Sequence, residues 1–208
     1  NPVRSAFRDV NVENANRELC IDDEKPFVLC ISGSLGAKKI NNSIIEYIKN
    51  NPAMDNMRIM IISGKSYYDD ISSELKQIGN PNVYVKKFVY DMEKYLAAAD
   101  LVISRSGALS LSEIAYMGKP SILIPSPNVA ENHQEFNADM FVKAGCAVKI
   151  SESDLTDESF EKTLNSLISD KKKLKRMSEA AYKEGIRNGD DAVIDEAEKI
   201  IHLRRNNA

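Results

Sequence analysis

The sequence predicts an α/β fold: a doubly wound, parallel six-stranded sheet with helices on both faces. Two observations carry that expectation. From Pro26 onward, short and nearly continuous apolar runs alternate with segments whose apolar residues recur at helical spacing. Strands without polar alternation are buried on both faces, which is the signature of a parallel sheet layered between helices. Right-handed crossovers then wind the helices onto both sides.

The first strand reads Phe27-Val28-Leu29-Cys30-Ile31 and stops at Ser32-Gly33-Ser34-Leu35-Gly36. A helix follows with Ile40, Ile44, Ile45 and Ile48 on one face, ended by Asn50-Asn51-Pro52. Ile59-Met60-Ile61-Ile62 is the second strand, cut by Ser63-Gly64, and Ile71, Leu75 and Ile78 mark the helix after it. Val83, Val85 and Phe88 mark the third strand, with a short helix over 92–99. Leu101-Val102-Ile103 is the fourth, leading through Ser104-Arg105-Ser106-Gly107 into a helix over 109–117. Ser121-Ile122-Leu123-Ile124 is the fifth, followed by a loop with Pro127 and a helix over 132–144. Gly145 caps that helix before the sixth strand, Cys146-Ala147-Val148-Lys149-Ile150. Helices fill the remainder, including 174–187 and 192–203. Residues 1–25 read as a polar linker segment that docks onto the domain formed by 26–208.

Composition removes several classes of function. Lys and Arg number 28 against 31 Asp and Glu, a net charge of −3, so no basic surface for nucleic acid is expected. The run Lys171-Lys172-Lys173 with Lys175-Arg176 falls in a helical stretch and reads as a solvated face. Three cysteines, Cys20, Cys30 and Cys146, lack CxxC spacing, which argues against a disulfide scaffold or structural zinc and suits a reducing compartment. No apolar run approaches the roughly 18 residues of a membrane span. The start at Asn1-Pro2-Val3-Arg4, without Met, is compatible with a beginning inside a longer protein.

Chemistry concentrates in loops that follow strands. Ser32-Gly33-Ser34-Leu35-Gly36-Ala37 joins a strand to a helix, where glycines admit tight turns and the helix start offers free N–H groups to an anion. It lacks the Lys-Ser/Thr of a P-loop and the spacing of a dinucleotide fingerprint, so turn geometry alone also accounts for its glycines. Ser104 to Glu113 is richer: the amides of Ala108 and Leu109, with the Ser110 hydroxyl, can cradle a diphosphate on the positive helix end. Glu113 lies about one and a half turns further in, where a carboxylate can accept hydrogen bonds from two vicinal hydroxyls. The alternative is that Ser110-x-x-Glu113 is a capping box. Asn132-His133-Gln134 opens another helix with side chains suited to sugar hydroxyls, although a lone histidine at a helix start also serves as a cap. No second histidine is near in sequence, and no metal site is expected.

These segments together resemble the C-terminal half of the MurG family of bacterial transferases. The resemblance runs from Asn1-Pro2-Val3-Arg4 through the Ser32 to Ala37 loop and Phe88-Val89-x-Asp91-Met92. It continues through Arg105 to Glu113 and His133-Gln134-x-x-Asn137-Ala138. It implies the donor half of a two-domain GT-B enzyme that transfers N-acetylglucosamine from UDP-N-acetylglucosamine (UDP-GlcNAc) to lipid I, giving lipid II in peptidoglycan synthesis. It further implies inversion without a metal or other cofactor. The location it implies is the bacterial cytoplasm, peripheral on the inner face of the cell membrane.

By position, the resemblance implies that Arg4 and Ser34 contact the nucleotide sugar, Ser34 through the α-phosphate, and that Phe88-Val89 hold uracil through the Val89 backbone. Ala108, Leu109, Ser110, Leu111 and Ser112 would line the diphosphate and sugar. Glu113 would bind the ribose, and Gln134, with His133, the GlcNAc hydroxyls. Two departures stand out: Ile61-Ile62 where the family often carries polar residues, and Leu35 where it usually has Gln. The family's glycine-rich acceptor loop, its catalytic base and its membrane-docking patch have no counterpart here. No catalytic residue is therefore expected in this chain, and lipid I and membrane contact would come through the acceptor domain. Other readings of the same pattern are a UDP-GlcNAc 2-epimerase and a non-catalytic nucleotide-sugar subunit of a split transferase.

Overall fold

A computed structural model describes residues 3–21, 24–33 and 35–186, with positions 189, 193, 198 and 199 beyond them. The expected helix over 192–203 lies outside the described residues but for three of those positions, as does the end of the helix over 174–187. Among the described residues six strands form one parallel sheet. They are β1 (Phe27–Ile31), β2 (Arg58–Ile62), β3 (Val83–Lys86), β4 (Leu101–Ser104), β5 (Ser121–Leu123) and β6 (Ala147–Lys149), in the order β3-β2-β1-β4-β5-β6. The strand order reverses between β1 and β4, which pair with Val28 opposite Leu101 and Ile31 opposite Ser104.

The two-faced burial inferred from the apolar runs is explicit in the packing. In β1 every residue is buried, and alternate side chains enter different cores. Val28 and Cys30 face a cluster with Ile40, Ile44 and Ile48, from α3 (Lys38–Asn50), and with Phe160 and Leu164, from α8 (Asp157–Ile168). Phe27, Leu29 and Ile31 face a second cluster with Tyr95 and Leu96, from α5 (Met92–Ala98), and Ile114, from α6 (Ala108–Tyr116). The helix after β1 therefore covers one face and the helix after β4 the other.

Local chemistry explains the helix ends. Thr156 and Ser159 form a reciprocal capping box at α8, with Ser159 N–H donating to Thr156 Oγ1 at 3.1 Å. The Asp170 side chain accepts from the Lys173 amide at 2.8 Å and starts α9 (Lys171–Glu184). Tyr47 ties α3 to α8, donating its hydroxyl to Asn165 Oδ1 at 2.9 Å and meeting the Phe160 ring edge-on at 6.2 Å between centroids.

Three elements differ from the sequence reading. The segment expected as a linker contains α1 (Ala6–Asp9) and α2 (Val12–Glu18), which bury Phe7 and Ala15 and so dock as helices. The third strand ends at Lys86 rather than Phe88, because its pairing runs out where β2 ends, with Ile62 opposite Lys86. The helix expected from Asn132 is α7 (His133–Lys143): Asn132 lies outside it, in the left-handed region at φ 50°.

Phe160 is fully buried against both α3 and the sheet, so Phe160→Ala leaves a cavity that the surrounding isoleucines cannot close. The expected loss is about 3–5 kcal/mol, read as a lower urea midpoint.

Candidate functional site

The carboxyl ends of the strands, where doubly wound sheets take their ligands, carry a cavity of about 260 Å³. Arg4, Gly33, Val89, Ser110 and Glu113 line it, with Ile31, Ile62, Phe88, Tyr90 and Met92 as apolar walls. A larger hollow of about 1230 Å³ opens at the opposite edge, between the chain entering β1 and β2 and helices α3 and α8. That hollow has no glycine turn along its lining, whereas the smaller one sits at the switch between β1 and β4. Position and chemistry favour the smaller.

Gly33 supplies its floor, and a second glycine turn, at Gly64, packs against the same loop. Gly33 has φ 79°, and a Cβ there would meet nothing within 4 Å, so the backbone is open to a close-approaching ligand. Gly36 is constrained instead: at φ 94°, a Cβ would lie 2.5 Å from the Ser63 carbonyl oxygen. A buried polar link holds these turns together. Ser32 Oγ and Asn41 Oδ1 are 2.6 Å apart, and Asn41 Nδ2 donates to the Ser63 carbonyl at 3.0 Å. Asn41 is 1% exposed, so these bonds satisfy a polar group inside the core.

The wall is α6. Its N-cap is Gly107, without a side-chain cap, and its first backbone bond is donated by Leu111 to the Gly107 carbonyl. By helix geometry the amides of Ala108, Leu109 and Ser110 then have no acceptor within the helix. Ser110 falls inside the helix rather than at its cap, so the capping-box alternative for Ser110 and Glu113 is not realised. Ser110 and Glu113, three apart, share the cavity face.

Arg4 reaches across from the N-terminal segment. Its Nε donates to Glu113 Oε1 at 3.3 Å, its Nη1 to the Tyr90 carbonyl at 3.3 Å, and its guanidinium lies 5.1 Å from the centroid of the Phe7 ring. Burial pushes the Glu113 carboxyl above the usual glutamate range; Arg4 opposes that rise and the charge of Glu93 adds to it. Beside them Phe88 and Tyr90 pack edge-on, with centroids 5.0 Å apart, while Val89 between them is buried.

The other expected site residues have other settings. Leu111 is buried with Leu123, Ala138 and Ala147. Ser112 donates its hydroxyl to the Ala108 carbonyl at 2.8 Å and faces a separate groove between α6 and α7. Neither side chain reaches the cavity, because positions 111 and 112 turn to the far side of the helix from 110 and 113. Leu109 is exposed. Gln134 stands at the start of α7, where its Oε1 accepts from the Ser126 amide at 3.0 Å and its carbonyl accepts from Ser106 Oγ at 2.7 Å. Those bonds orient its carboxamide nitrogen and couple it to the turn before α6. The preceding Glu131 and Asn132 both have positive φ, 53° and 50°, a strained arrangement for non-glycine residues. Ser34 lies outside the described residues. Among the described residues no group of three or more His, Cys, Asp or Glu could hold a metal ion, and no helix is long and apolar enough to cross a membrane.

Sequence reasoning did not single out Asn41, Tyr90 or Glu93. Asn41 had a legible signal, a polar residue next to Ile40 on an otherwise apolar helix face.

Fold and cavity define a doubly wound α/β domain with a cavity at the topological switch. Comparison with known proteins is specific: residues 27–193 match the glycosyltransferase family 28 C-terminal domain, and the chain belongs to that family. It is 39% identical, over 97% of its length, to a Clostridioides difficile protein named UDP-N-acetylglucosamine–N-acetylmuramyl-(pentapeptide) pyrophosphoryl-undecaprenol N-acetylglucosamine transferase, and covers 49% of that protein. The crystal structure of Acinetobacter baumannii MurG superposes with a TM-score of 0.78 at 24% identity, covering 95% of this chain and 55% of that one. A UDP-GlcNAc 2-epimerase from Neisseria meningitidis shares the fold at a TM-score of 0.60 and 14% identity, over 90% and 48% of the two chains. The chain spans about half the length of the curated relatives it matches.

Gly36→Ala is expected to destabilise by about 1–3 kcal/mol through its positive φ and the Ser63 contact, and to distort the cavity floor. Gly33→Ala carries the φ penalty without the clash, so thermal melts should rank Gly36→Ala as the more damaging.

Proposed function

We propose that this chain binds UDP-GlcNAc as the donor-binding domain of a transferase that adds N-acetylglucosamine to lipid I to form lipid II. The observation that carries the reading is the convergence of a half-buried carboxylate, Glu113, and of Ser110, in the first turn of α6, on one cavity at the β1–β4 switch. Kinship with a transferase named for that reaction supports the choice of sugar nucleotide and acceptor.

In this reading residues 26–208 are the donor domain and 1–25 the segment linking it to the acceptor-binding part. Glu113 accepts both ribose hydroxyls, the Val89 backbone holds uracil, and the amides of Ala108, Leu109 and Ser110 receive the diphosphate. Ser34 meets the α-phosphate, and Gln134, with His133, reads the sugar. The leaving diphosphate gains negative charge as the acceptor hydroxyl displaces it with inversion. Amides already aimed at that charge lower the barrier without needing a metal. The base and the acceptor belong to the part of the enzyme that this chain does not match. The full-length enzyme works in the bacterial cytoplasm at the inner face of the cell membrane, where lipid I is.

Calorimetry with EDTA present is expected to show UDP-GlcNAc and UDP binding, and Glu113→Ala to lose about 1.5–3 kcal/mol, the worth of hydrogen bonds to a charged group. A strict divalent-metal requirement would refute the metal-free scheme. Since Glu113 must be ionised to accept both hydroxyls and burial raises its pKa, affinity for UDP-GlcNAc should fall as pH drops toward that raised value. The fall should begin above the ordinary glutamate range and be absent in Glu113→Gln. The 208-residue chain alone should transfer no sugar to lipid I, and measurable turnover would show that it holds a base and an acceptor site.

A further inference from the structure

One carboxylate beside the cavity has no part in the nucleotide contacts. Glu93 sits in the first turn of α5, where a negative charge suits the helix dipole. The dipole does not explain its burial. Its side chain is 13% exposed, and Oε2 is shielded from solvent without a hydrogen-bond partner. Arg4 Nη2 stands 3.8 Å from that oxygen, too far for a hydrogen bond but close enough for attraction. The same guanidinium spends Nε on Glu113 Oε1 and Nη1 on the Tyr90 carbonyl, each at 3.3 Å. Two carboxylates thus share one arginine, and these three polar contacts, among the described residues, are all long.

A bound ribose competes for the same Glu113 oxygens. If Arg4 kept its hold there, a diol could not take both acceptor positions. If Arg4 let go with no second partner, a half-exposed guanidinium would lose its best contact. The geometry points to Glu93 as the positioning residue that receives Arg4 when ribose claims Glu113, so that this pair of carboxylates sets how strongly the site reads ribose hydroxyls. The Arg4–Glu93 gap needs to close by roughly 1 Å to become a hydrogen-bonded ion pair. Rotation of a long, 51% exposed side chain supplies that without backbone movement. The inference rests on Glu113 being the ribose ligand.

Calorimetry on the 208-residue chain tests it with UDP and 2′-deoxy-UDP. Wild type should prefer UDP. Glu93→Gln keeps the side chain's volume but loses its charge, leaving Arg4 on Glu113. UDP affinity should drop about fivefold, 2′-deoxy-UDP affinity should drop less, and the preference for UDP should shrink. In an Arg4→Ala background the same Glu93→Gln change should do nothing further. An unchanged UDP preference in Glu93→Gln, or the same loss with Arg4 already removed, would overturn the role and leave Glu93 as helix-end charge only. Failure of wild type to bind either nucleotide would instead sink the nucleotide-site reading itself, and this inference with it.

Discussion

The constraint on which the rest depends is burial of β1 and β4 on both faces, with their following helices sent to opposite sides. Val28 and Cys30 commit one face of β1 to α3; Leu29 and Ile31 commit the other to the layer that holds Ile114 of α6. Since all six strands run parallel, both departures occur at the same edge. The chain diverges there, and divergence leaves a crevice that backbone alone cannot fill. Gly33 with its open backbone, Ser110 in the first turn of α6, and Glu113 one turn deeper all border that crevice.

Once the crevice exists, its chemistry follows from what can be desolvated. A carboxylate half-buried among Ile31, Ile62 and Met92 is unfavourable unless something offsets it, and Arg4 does so from outside the sheet. The N-terminal segment is therefore part of the site's electrostatics. Phe7 and Ala15 bury themselves against the domain and fix the approach of Arg4. A docked, helical segment carrying a cation differs physically from a loose tether, because the cation's position has already been set by packing.

Sequence and structure agree where periodicity is strong. The six apolar runs, the helix stripe of Ile40, Ile44 and Ile48, and the glycines ending elements at Gly79 and Gly145 all stand as read. They diverge at edges. Phe88 leaves the strand once β2 ends, and Asn132 adopts a left-handed conformation that no propensity foretells. Within the site, an ordered string of residues from Ala108 to Ser112 reads as one binding surface. A helix turns each residue by about 100°, so Leu111 and Ser112 face core and groove while Ser110 and Glu113 face the cavity.

Local pattern by itself determined the α/β class, the strand boundaries to within a residue or two, and which loops hold small residues at helix starts. Those properties depend on alternation, turn chemistry and caps, which act over a few positions of the chain. Tertiary structure alone decided that Arg4 meets Glu113 across 109 positions of sequence, that Asn41 bridges two strand ends, and that Glu93 holds a shielded oxygen 3.8 Å from Arg4 without a hydrogen bond. Charge pairing and burial depend on distance in space, and only the closed sheet with its helices docked sets those distances.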